Sequence, residues 1–295
     1  SRPEENARLW QQNVRQQLFV LLRLDSLMPV PDNPLNPREL FSEDKGRYKL
    51  KVMEINSTPG RRIQVMVTFP ESSSGPFPAV VCIHGHGGEL PSVYDNEAIY
   101  KRFAHELALD GYITIAAVVS QHEVFEEGQT LMGERLWDLM RCVDFLESRE
   151  ETDNLRMGCA GLSLGGEMAM WLGAMDCRIQ ATLSAGFLTI MDQMEQNHCM
   201  CWKFPGLRAE VDFPDIYSLI APRPLMCQNG MQEPADQFFV PVARNALKEI
   251  ETIYWDFERP EHLHFDVHEG GHEIDLPGLI YFFEKYLKRK SVDEP

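Results

Sequence analysis

The sequence has 295 residues, of which 44% are hydrophobic, and its formal net charge is −17 at pH 7. This length is enough for the core of one α/β domain, and the negative charge argues against nucleic acids and anionic membranes as partners. The longest fully apolar run near the N-terminus, residues 18–22, is too short to cross a bilayer. The polar and acidic first residues do not have the pattern of a signal peptide, and we expect a soluble protein that is either cytoplasmic or exported after a leader not present in this sequence.

The first predicted element is an amphipathic helix over residues 8–24. Trp10, Val14, Leu18 and Leu21 recur at helical spacing on one face, which predicts packing against the main sheet. Prolines at positions 29, 31, 34 and 37 then favour an extended course. We therefore expect residues 1–46 to form an N-terminal helix followed by an extended arm.

Strands and helices alternate along the rest of the chain. Strands are predicted at residues 48–55 and 63–69, with a turn at 57–60 between them. From residue 78 onward, apolar strands at 78–83, 112–118, 155–160, 179–184 and 225–228 alternate with helices that include 96–110 and 131–147. This order predicts one α/β domain over residues 1–295, built on a doubly wound, mainly parallel sheet.

A glycine-rich turn with the sequence HGHGG, residues 84–88, follows the apolar strand at 78–83. Glycines in such a turn allow backbone amides to point into a cavity without side chains in the way. The N–H groups of His86 and Gly87 are therefore candidate donors to an oxygen that becomes negatively charged during a reaction.

Residues 161–166 have the sequence GLSLGG and connect a predicted strand to a predicted helix. This pattern is typical of a nucleophile elbow, in which glycines on both sides of the serine remove side chains that would clash in a tight turn. Ser163 is the candidate nucleophile. The N–H of Leu164, at the start of the following helix, is the other candidate oxyanion donor.

A segment without clear periodicity, residues 187–212, interrupts the alternation after the elbow. A connection of about 25 residues in a compact domain is often a binding loop, so we predict a lid-like insertion here. Trp202 and Met191 in this segment, with His122 on an earlier loop, are the candidate substrate-binding residues. The alternative is a hydrophobic cluster that packs beneath its own loop.

A serine hydroxyl needs a base that accepts its proton during attack, and His272 is the candidate. It lies in a glycine-loosened loop between a last strand near residue 265 and a final helix at 276–288. Imidazole, with an ordinary pKa of about 6.5, can accept the proton and later return it. His268 is the nearest competitor, but it lies within the strand, where packing is the more common role.

Together these motifs resemble the α/β-hydrolases related to dienelactone hydrolase and the acetyl xylan esterases. The resemblance extends over nearly the whole chain and includes the segments PLNP at 34–37, GPFPAVV at 75–81, PDI at 214–216, LIAPRP at 219–224 and GGHE at 270–273. This family uses a serine or a cysteine as its nucleophile. A serine at the elbow is typical of its esterases, which implies hydrolysis of carboxylic esters.

The acid of the triad is where this chain departs from that family. The family usually has an aspartate in a G-x-x-D turn after the penultimate strand, whereas residues 230–233 have the sequence GMQE. The matching position is Glu233, and Asp236 is the alternative. Either carboxylate can orient the imidazole of His272 and stabilise its protonated form.

The resemblance implies an esterase that removes acetyl or other short acyl groups from a carbohydrate or small-molecule ester. Alternatives are a serine peptidase of the prolyl oligopeptidase type and a non-catalytic binding protein on a hydrolase scaffold. The i,i+2 pairs His84–His86 and His262–His264 lack the further ligands of a recognisable metal set, and the seven cysteines are predicted to be mostly reduced core residues. We therefore predict no metal and no cofactor.

Overall fold

A computed structural model of the protein describes residues 3–27, 33–72 and 75–288. One sheet contains nine strands: β1 Arg38–Asp44, β2 Tyr48–Thr58, β3 Arg61–Pro70, β4 Phe77–Ile83, β5 Ile113–Ala117, β6 Thr152–Leu162, β7 Ala181–Ala185, β8 Leu225–Gly230 and β9 Leu263–His268. The α-helices are α1 Pro3–Leu21, α2 Leu24–Leu27, α3 Ser92–Asp95, α4 Phe103–Leu109, α5 Leu131–Glu147, α6 Leu164–Met175, α7 Met191–Met194, α8 Leu207–Glu210, α9 Phe213–Ser218, α10 Val240–Asp256 and α11 Leu276–Leu287.

The strand order β1-β2-β3-β5-β4-β6-β7-β8-β9 confirms the predicted doubly wound sheet. The pairs β1–β2, β2–β3 and β3–β5 are antiparallel. The pairs β5–β4, β4–β6, β6–β7, β7–β8 and β8–β9 are parallel. Parallel strands end at the same edge of a sheet. The loops that follow β4, β6, β7 and β8 are therefore brought together, which is the usual position of ligands in such sheets.

Helices cover both faces of the sheet and bury its apolar side chains. One core contains residues of α1, α5, α6, α9 and α10, and the other contains residues of α4 and α11. The central strands β4, β5 and β7 are almost fully buried, as expected of parallel strands covered on both sides. None of the helices described in residues 3–288 has the length and apolar character needed to span a membrane.

The N-terminal helix α1 begins and ends a few residues earlier than predicted. Val14 and Leu18 are buried, and the side-chain amide of Gln11 donates to the carbonyls of Ser218 and Ala221 at 2.9 and 2.8 Å. Two of the prolines at which we predicted an extended course, Pro29 and Pro31, lie outside the described residues. A strand that we did not predict, β1, follows at residues 38–44.

The predicted helix over residues 96–110 is wrong in its first half, because helix α4 begins only at Phe103. The side-chain oxygen of Asn96 accepts from the N–H groups of Ala98 and Ile99 at 2.9 and 3.1 Å, which fixes a local turn. Lys101 and Arg102 both have φ of +52°, a left-handed conformation that interrupts a helix. Local side-chain bonding therefore replaces the first two helical turns.

The 187–212 segment contains short helical pieces, α7, α8 and a 3-10 turn at Met200–Trp202. Its large apolar side chains belong to the main core, including Phe187, Trp202 and Leu207. The rings of Trp202 and Phe213 pack edge to face, with centroids 5.5 Å apart. The segment therefore buries one side against the domain and leaves its polar residues near the edge where the parallel strands end.

Candidate active site

Ser163 lies in a strained turn between β6 and α6. Its φ and ψ are 63° and −125°, a conformation that side-chain-bearing residues rarely adopt, and its N–H donates to the carbonyl of Ala185 at 2.9 Å. A Cβ at Gly161 would overlap the carbonyl of Gly165, and a Cβ at Gly165 would overlap the carbonyl of Ile83. The two glycines are therefore required by the close approach of three backbone segments.

Substituting Gly165 by alanine should lower the free energy of unfolding by about 1–3 kcal/mol or more, because the overlap is with rigid backbone. Gly60 is the matched control, since a Cβ at Gly60 would meet nothing within 4 Å. Gly60→Ala should change stability by less than about 1 kcal/mol. Urea unfolding of both variants measures the difference, and equal stabilities would contradict the packing described for the elbow.

A buried histidine, His84, joins the glycine-rich turn after β4 to the loop after β5. His84 Nδ1 donates to the carbonyl of Gly85 at 2.9 Å, and its Nε2 accepts from the N–H of Val119 at 3.3 Å. Burial lowers the pKa of His84, in keeping with a neutral ring that bonds through both nitrogens. A Cβ at Gly85 would lie 3.1 Å from that of Ser163, so the turn and the elbow are in direct contact.

Three backbone amides of these two turns have no partner among the described residues. Within the described part of the chain, the N–H groups of Leu164, His86 and Gly87 donate to no acceptor. Leu164 is the first residue of α6, where helix amides are free, and Gly87 has φ of +68°. These are the amides that the sequence assigned to the oxyanion, and they are available for a ligand oxygen.

His272 and Glu233 form a tight pair in the loops after β9 and β8. His272 Nδ1 donates to Glu233 Oε1 at 2.7 Å, and the side chain of Glu233 is only 1% exposed, against 32% for His272. The imidazole stacks on Phe238 with ring centroids 5.3 Å apart and an interplanar angle of 13°. Gly186 leaves room for the ring, because a Cβ there would lie 2.8 Å from His272 Cε1.

The two alternatives from the sequence have different surroundings. Asp236 is exposed, and within the described part of the chain its carboxylate accepts only a long bond of 3.4 Å from Asn197. His268 is the last residue of β9, and it does not line the cavity that contains Ser163 and His272. Of the two carboxylates weighed in the sequence, the one that contacts His272 is Glu233.

Ser163, Leu164, His86 and His272 line one small cavity of about 120 Å³. The rest of its wall includes Glu167 of α6, Gln237 and Phe238, and five residues of the 187–212 segment: Phe187, Met194, His198, Cys199 and Cys201. A drug-sized ligand usually occupies roughly 300–1,000 Å³. This cavity therefore has room for a small group only, with the rest of any larger ligand outside it.

None of the three predicted substrate-binding residues is among those that line this cavity. The side chains of Trp202 and Met191 are each 1% exposed and belong to the core beneath the 187–212 segment. Burying these apolar side chains in the core is more favourable than exposing them to water at a binding site. The prediction that they bind substrate is therefore wrong for both residues. His122 is exposed on the loop after β5, where its ring lies 5.5 Å from that of His86. Met194, which the sequence did not single out, lines the cavity instead.

Glu167 is a buried carboxyl group in the cavity wall that the sequence analysis missed. It lies four residues after Ser163, one helical turn along α6. Its Oε1 has no hydrogen-bond partner among the described residues, and burial raises its pKa to about 8 despite the opposing effect of Arg135. The carboxyl group is therefore largely protonated at neutral pH and presents a neutral polar group to the cavity.

This raised pKa predicts a pH dependence of stability. Between its ordinary pKa of 4.5 and about 8, the folded protein holds a proton that the unfolded chain releases, so stability falls as the pH rises through this range. Each pKa unit corresponds to about 1.4 kcal/mol, so the loss can reach a few kcal/mol. Glu167→Gln, which cannot ionise, should unfold at the same urea concentration as the wild type near pH 4.5 and at a higher one at pH 8.

The control for this comparison is Glu150→Gln, since Glu150 is an exposed carboxylate in the turn that follows α5. Its urea midpoint should follow that of the wild type at every pH. Parallel curves for the wild type and Glu167→Gln would contradict the buried, protonated state of Glu167.

One group of side chains near the cavity could hold a metal ion. The ligand atoms of His86, His122, Cys199 and Cys201 all lie within 4.8 Å of one another. The histidine pairs considered in the sequence, His84–His86 and His262–His264, do not form this group. His84 is bonded within its turn. His262 Nδ1 bonds the carbonyl of Pro222 and His264 Nε2 bonds the hydroxyl of Tyr286, each at 2.7 Å. The sequence therefore missed the one set in the described residues that combines histidine and cysteine.

Comparison with known proteins points to esterases. A family profile described as "Glucuronyl esterase, fungi" matches residues 54–188. YtaP of Bacillus subtilis (strain 168), designated a hydrolase, is 27% identical over 244 residues, which cover 74% of this chain and 80% of YtaP. The chain is also similar to solved structures.

A Bacteroides fragilis protein designated an acetyl xylan esterase superposes with a TM-score of 0.74 at 19% identity, covering 93% of this chain and 78% of that one. A glucuronoyl esterase from Solibacter usitatus gives a TM-score of 0.68 at 17% identity, covering 88% and 87%. At these identities the structural likeness establishes the fold. With its nine-stranded sheet and these similarities, the chain has the α/β-hydrolase fold.

Proposed function

We propose that this protein hydrolyses carboxylic esters of carbohydrates through Ser163, His272 and Glu233. The observation that carries the proposal is the buried Glu233–His272 pair, bonded at 2.7 Å, whose imidazole lines the same small cavity as the strained Ser163. The similarity to carbohydrate esterases supports the reaction class.

In this proposal His272 accepts the proton of Ser163 while the serine oxygen bonds to the ester carbonyl carbon. The negative charge that develops on the carbonyl oxygen is stabilised by the N–H of Leu164 and by an N–H of His86 or Gly87. The protonated imidazole, stabilised by Glu233, then gives its proton to the leaving alcohol. Water, deprotonated by His272, attacks the acyl-enzyme, and the carboxylic acid leaves as Ser163 regains its proton.

The size of the cavity favours a short acyl group. About 120 Å³ accommodates an acetyl group, whereas an octanoyl chain or a sugar acid bonded through its own carboxyl group would need far more space. We infer that acetyl is the acyl group and that the carbohydrate alcohol lies outside the cavity. The 187–212 segment forms part of the wall and acts as the lid-like element over it.

Glucuronoyl ester hydrolysis is the second candidate, because the matching family profile carries that description. There the sugar acid itself is the acyl group. The two functions thus differ in which side of the ester bond carries the sugar.

A panel of esters separates these functions. We expect kcat/KM to fall in the order aryl acetate, butyrate, octanoate, with release of acetate from acetylated xylan and little turnover of a methyl glucuronate ester. A prolyl peptide substrate in the same panel tests the peptidase alternative. Preference for octanoate would contradict the small acyl site, and preference for the glucuronate ester would favour the second candidate.

A further inference from the structure

Three loops bring two histidines and two cysteines together beside the proposed active site. His86 is in the glycine-rich turn after β4, His122 is in the loop after β5, and Cys199 and Cys201 are in the 187–212 segment. His86 Nε2 lies 3.2 Å from Cys201 Sγ, and His122 Nε2 lies 3.3 Å from Cys199 Sγ. We call these four residues the His-Cys cluster.

The spacing of the His-Cys cluster is close to that of a tetrahedral metal site. Zn–S bonds of about 2.3 Å and Zn–N bonds of about 2.0–2.1 Å place ligand atoms roughly 3.3–3.8 Å apart in a tetrahedron. The two nitrogen–sulfur contacts are already that short, and all ligand atoms lie within 4.8 Å of one another. Movements of about 1 Å in these side chains, of which three are exposed and Cys201 is half-buried, would complete the geometry.

The donor set selects a soft or borderline metal ion. Two thiolates and two imidazoles suit Zn²⁺, whereas Mg²⁺ and Ca²⁺ require oxygen ligands. Two thiolates also neutralise the two positive charges of the ion, which limits the cost of holding it against a protein cavity. Four protein ligands leave no open position, which is typical of a structural site.

A buried arginine donates hydrogen bonds to two of the three loops. Arg135 of α5 is fully buried, and its Nη1 donates to Cys201 Sγ at 3.4 Å. Its Nη2 donates to the carbonyl of Gln121, the residue before His122. One rigid side chain therefore orients ligands from two loops, as partners outside the ligand shell of metal sites commonly do.

We propose that His86, His122, Cys199 and Cys201 bind one Zn²⁺ ion that fastens the 187–212 segment to the glycine-rich turn. Binding forms two Zn–S and two Zn–N bonds and releases the two thiol protons to solvent. Because His86, Cys199 and Cys201 also line the cavity, the ion fixes one wall of the proposed acyl site and the turn that carries the proposed oxyanion donors. The ion takes no part in the ester chemistry.

Metal content of the purified full-length chain tests this proposal without reference to esterase activity. After incubation with Zn²⁺ under reducing conditions and dialysis, we expect one zinc per chain for the wild type. The double variant Cys199→Ser/Cys201→Ser should retain none, and His122→Ala, at an exposed position, should lose affinity by more than about 100-fold. Cys177→Ser is the matched control, because Cys177 is exposed and lies outside the cluster.

Cobalt substitution identifies the ligands directly. We expect wild-type protein with Co²⁺ to show a thiolate-to-cobalt charge-transfer band and the strong visible bands of tetrahedral cobalt, and Cys177→Ser to match it. Circular dichroism of His122→Ala checks that its loss of metal is not loss of fold. A wild-type zinc content equal to that of the double variant, or a cobalt spectrum without the thiolate band, would overturn the proposal.

Discussion

Replacing Ser163 with alanine should reduce ester turnover by at least about 10⁴-fold. Loss of the nucleophile in a serine protease triad costs about 10⁶-fold in kcat, and an ester with a good leaving group tolerates the loss better than a peptide does. The backbone of the elbow should not change, because alanine keeps the Cβ that Ser163 already carries at φ of 63°. Thermal midpoints of the two proteins should agree closely, and kcat/KM on one aryl acetate measures the effect.

Ser120→Ala provides the matched control. The hydroxyl of Ser120 donates to the carbonyl of Gly88 at 3.0 Å, in the neighbouring turn, and its loss removes one hydrogen bond worth about 1 kcal/mol. This variant should keep activity within about tenfold of the wild type. Retention of more than a few per cent of the activity by Ser163→Ala would exclude Ser163 as the nucleophile.

Replacing Glu233 with glutamine should reduce kcat by up to about 10⁴-fold. The same exchange of acid for amide in a serine protease triad has that effect, because the imidazole loses the charge that fixes its tautomer. Glu233 is buried and bonds His272 Nδ1 at 2.7 Å, so the glutamine keeps the shape of the site while removing its charge.

Asp236→Asn is the control for this carboxylate. Because Asp236 is exposed and, among the described residues, its carboxylate contacts only Asn197 at a long distance, its variant should retain nearly full activity. Steady-state kinetics of both variants on the same aryl acetate decides between the carboxylates. A severe loss in Asp236→Asn beside an active Glu233→Gln would show that the acid is Asp236.

Periodic segments with clear ends were predictable from the sequence. Helix α5 has the predicted bounds, Leu131–Glu147, because the side chain of Thr130 caps it by accepting from the N–H of Gly133. Strand β1 was missed because all seven of its residues are exposed and show no alternation of apolar and polar side chains. Its pairing depends on the neighbouring strand β2, which a local pattern does not reveal.

The elbow and the G-x-x-D-like turn are local motifs, so the sequence could pick out Ser163, His272 and Glu233 as candidates. Their catalytic roles remain a proposal. Whether an apolar loop residue is buried in the core or faces a ligand depends on contacts with distant parts of the chain. For this reason Met191 and Trp202 were wrongly predicted to bind substrate. The His-Cys cluster was missed for the same reason, since its residues come from three loops that only the sheet topology brings together.

Ser163 is the nucleophile that we propose for this protein. A fluorophosphonate forms a stable bond to an activated serine oxygen as fluoride leaves, and mass spectrometry of the digested protein locates the adduct. We predict one adduct per chain, on the peptide that contains Ser163, with esterase activity lost in proportion and no adduct on Ser163→Ala. An adduct on another residue that accompanies the loss of activity would contradict the claim.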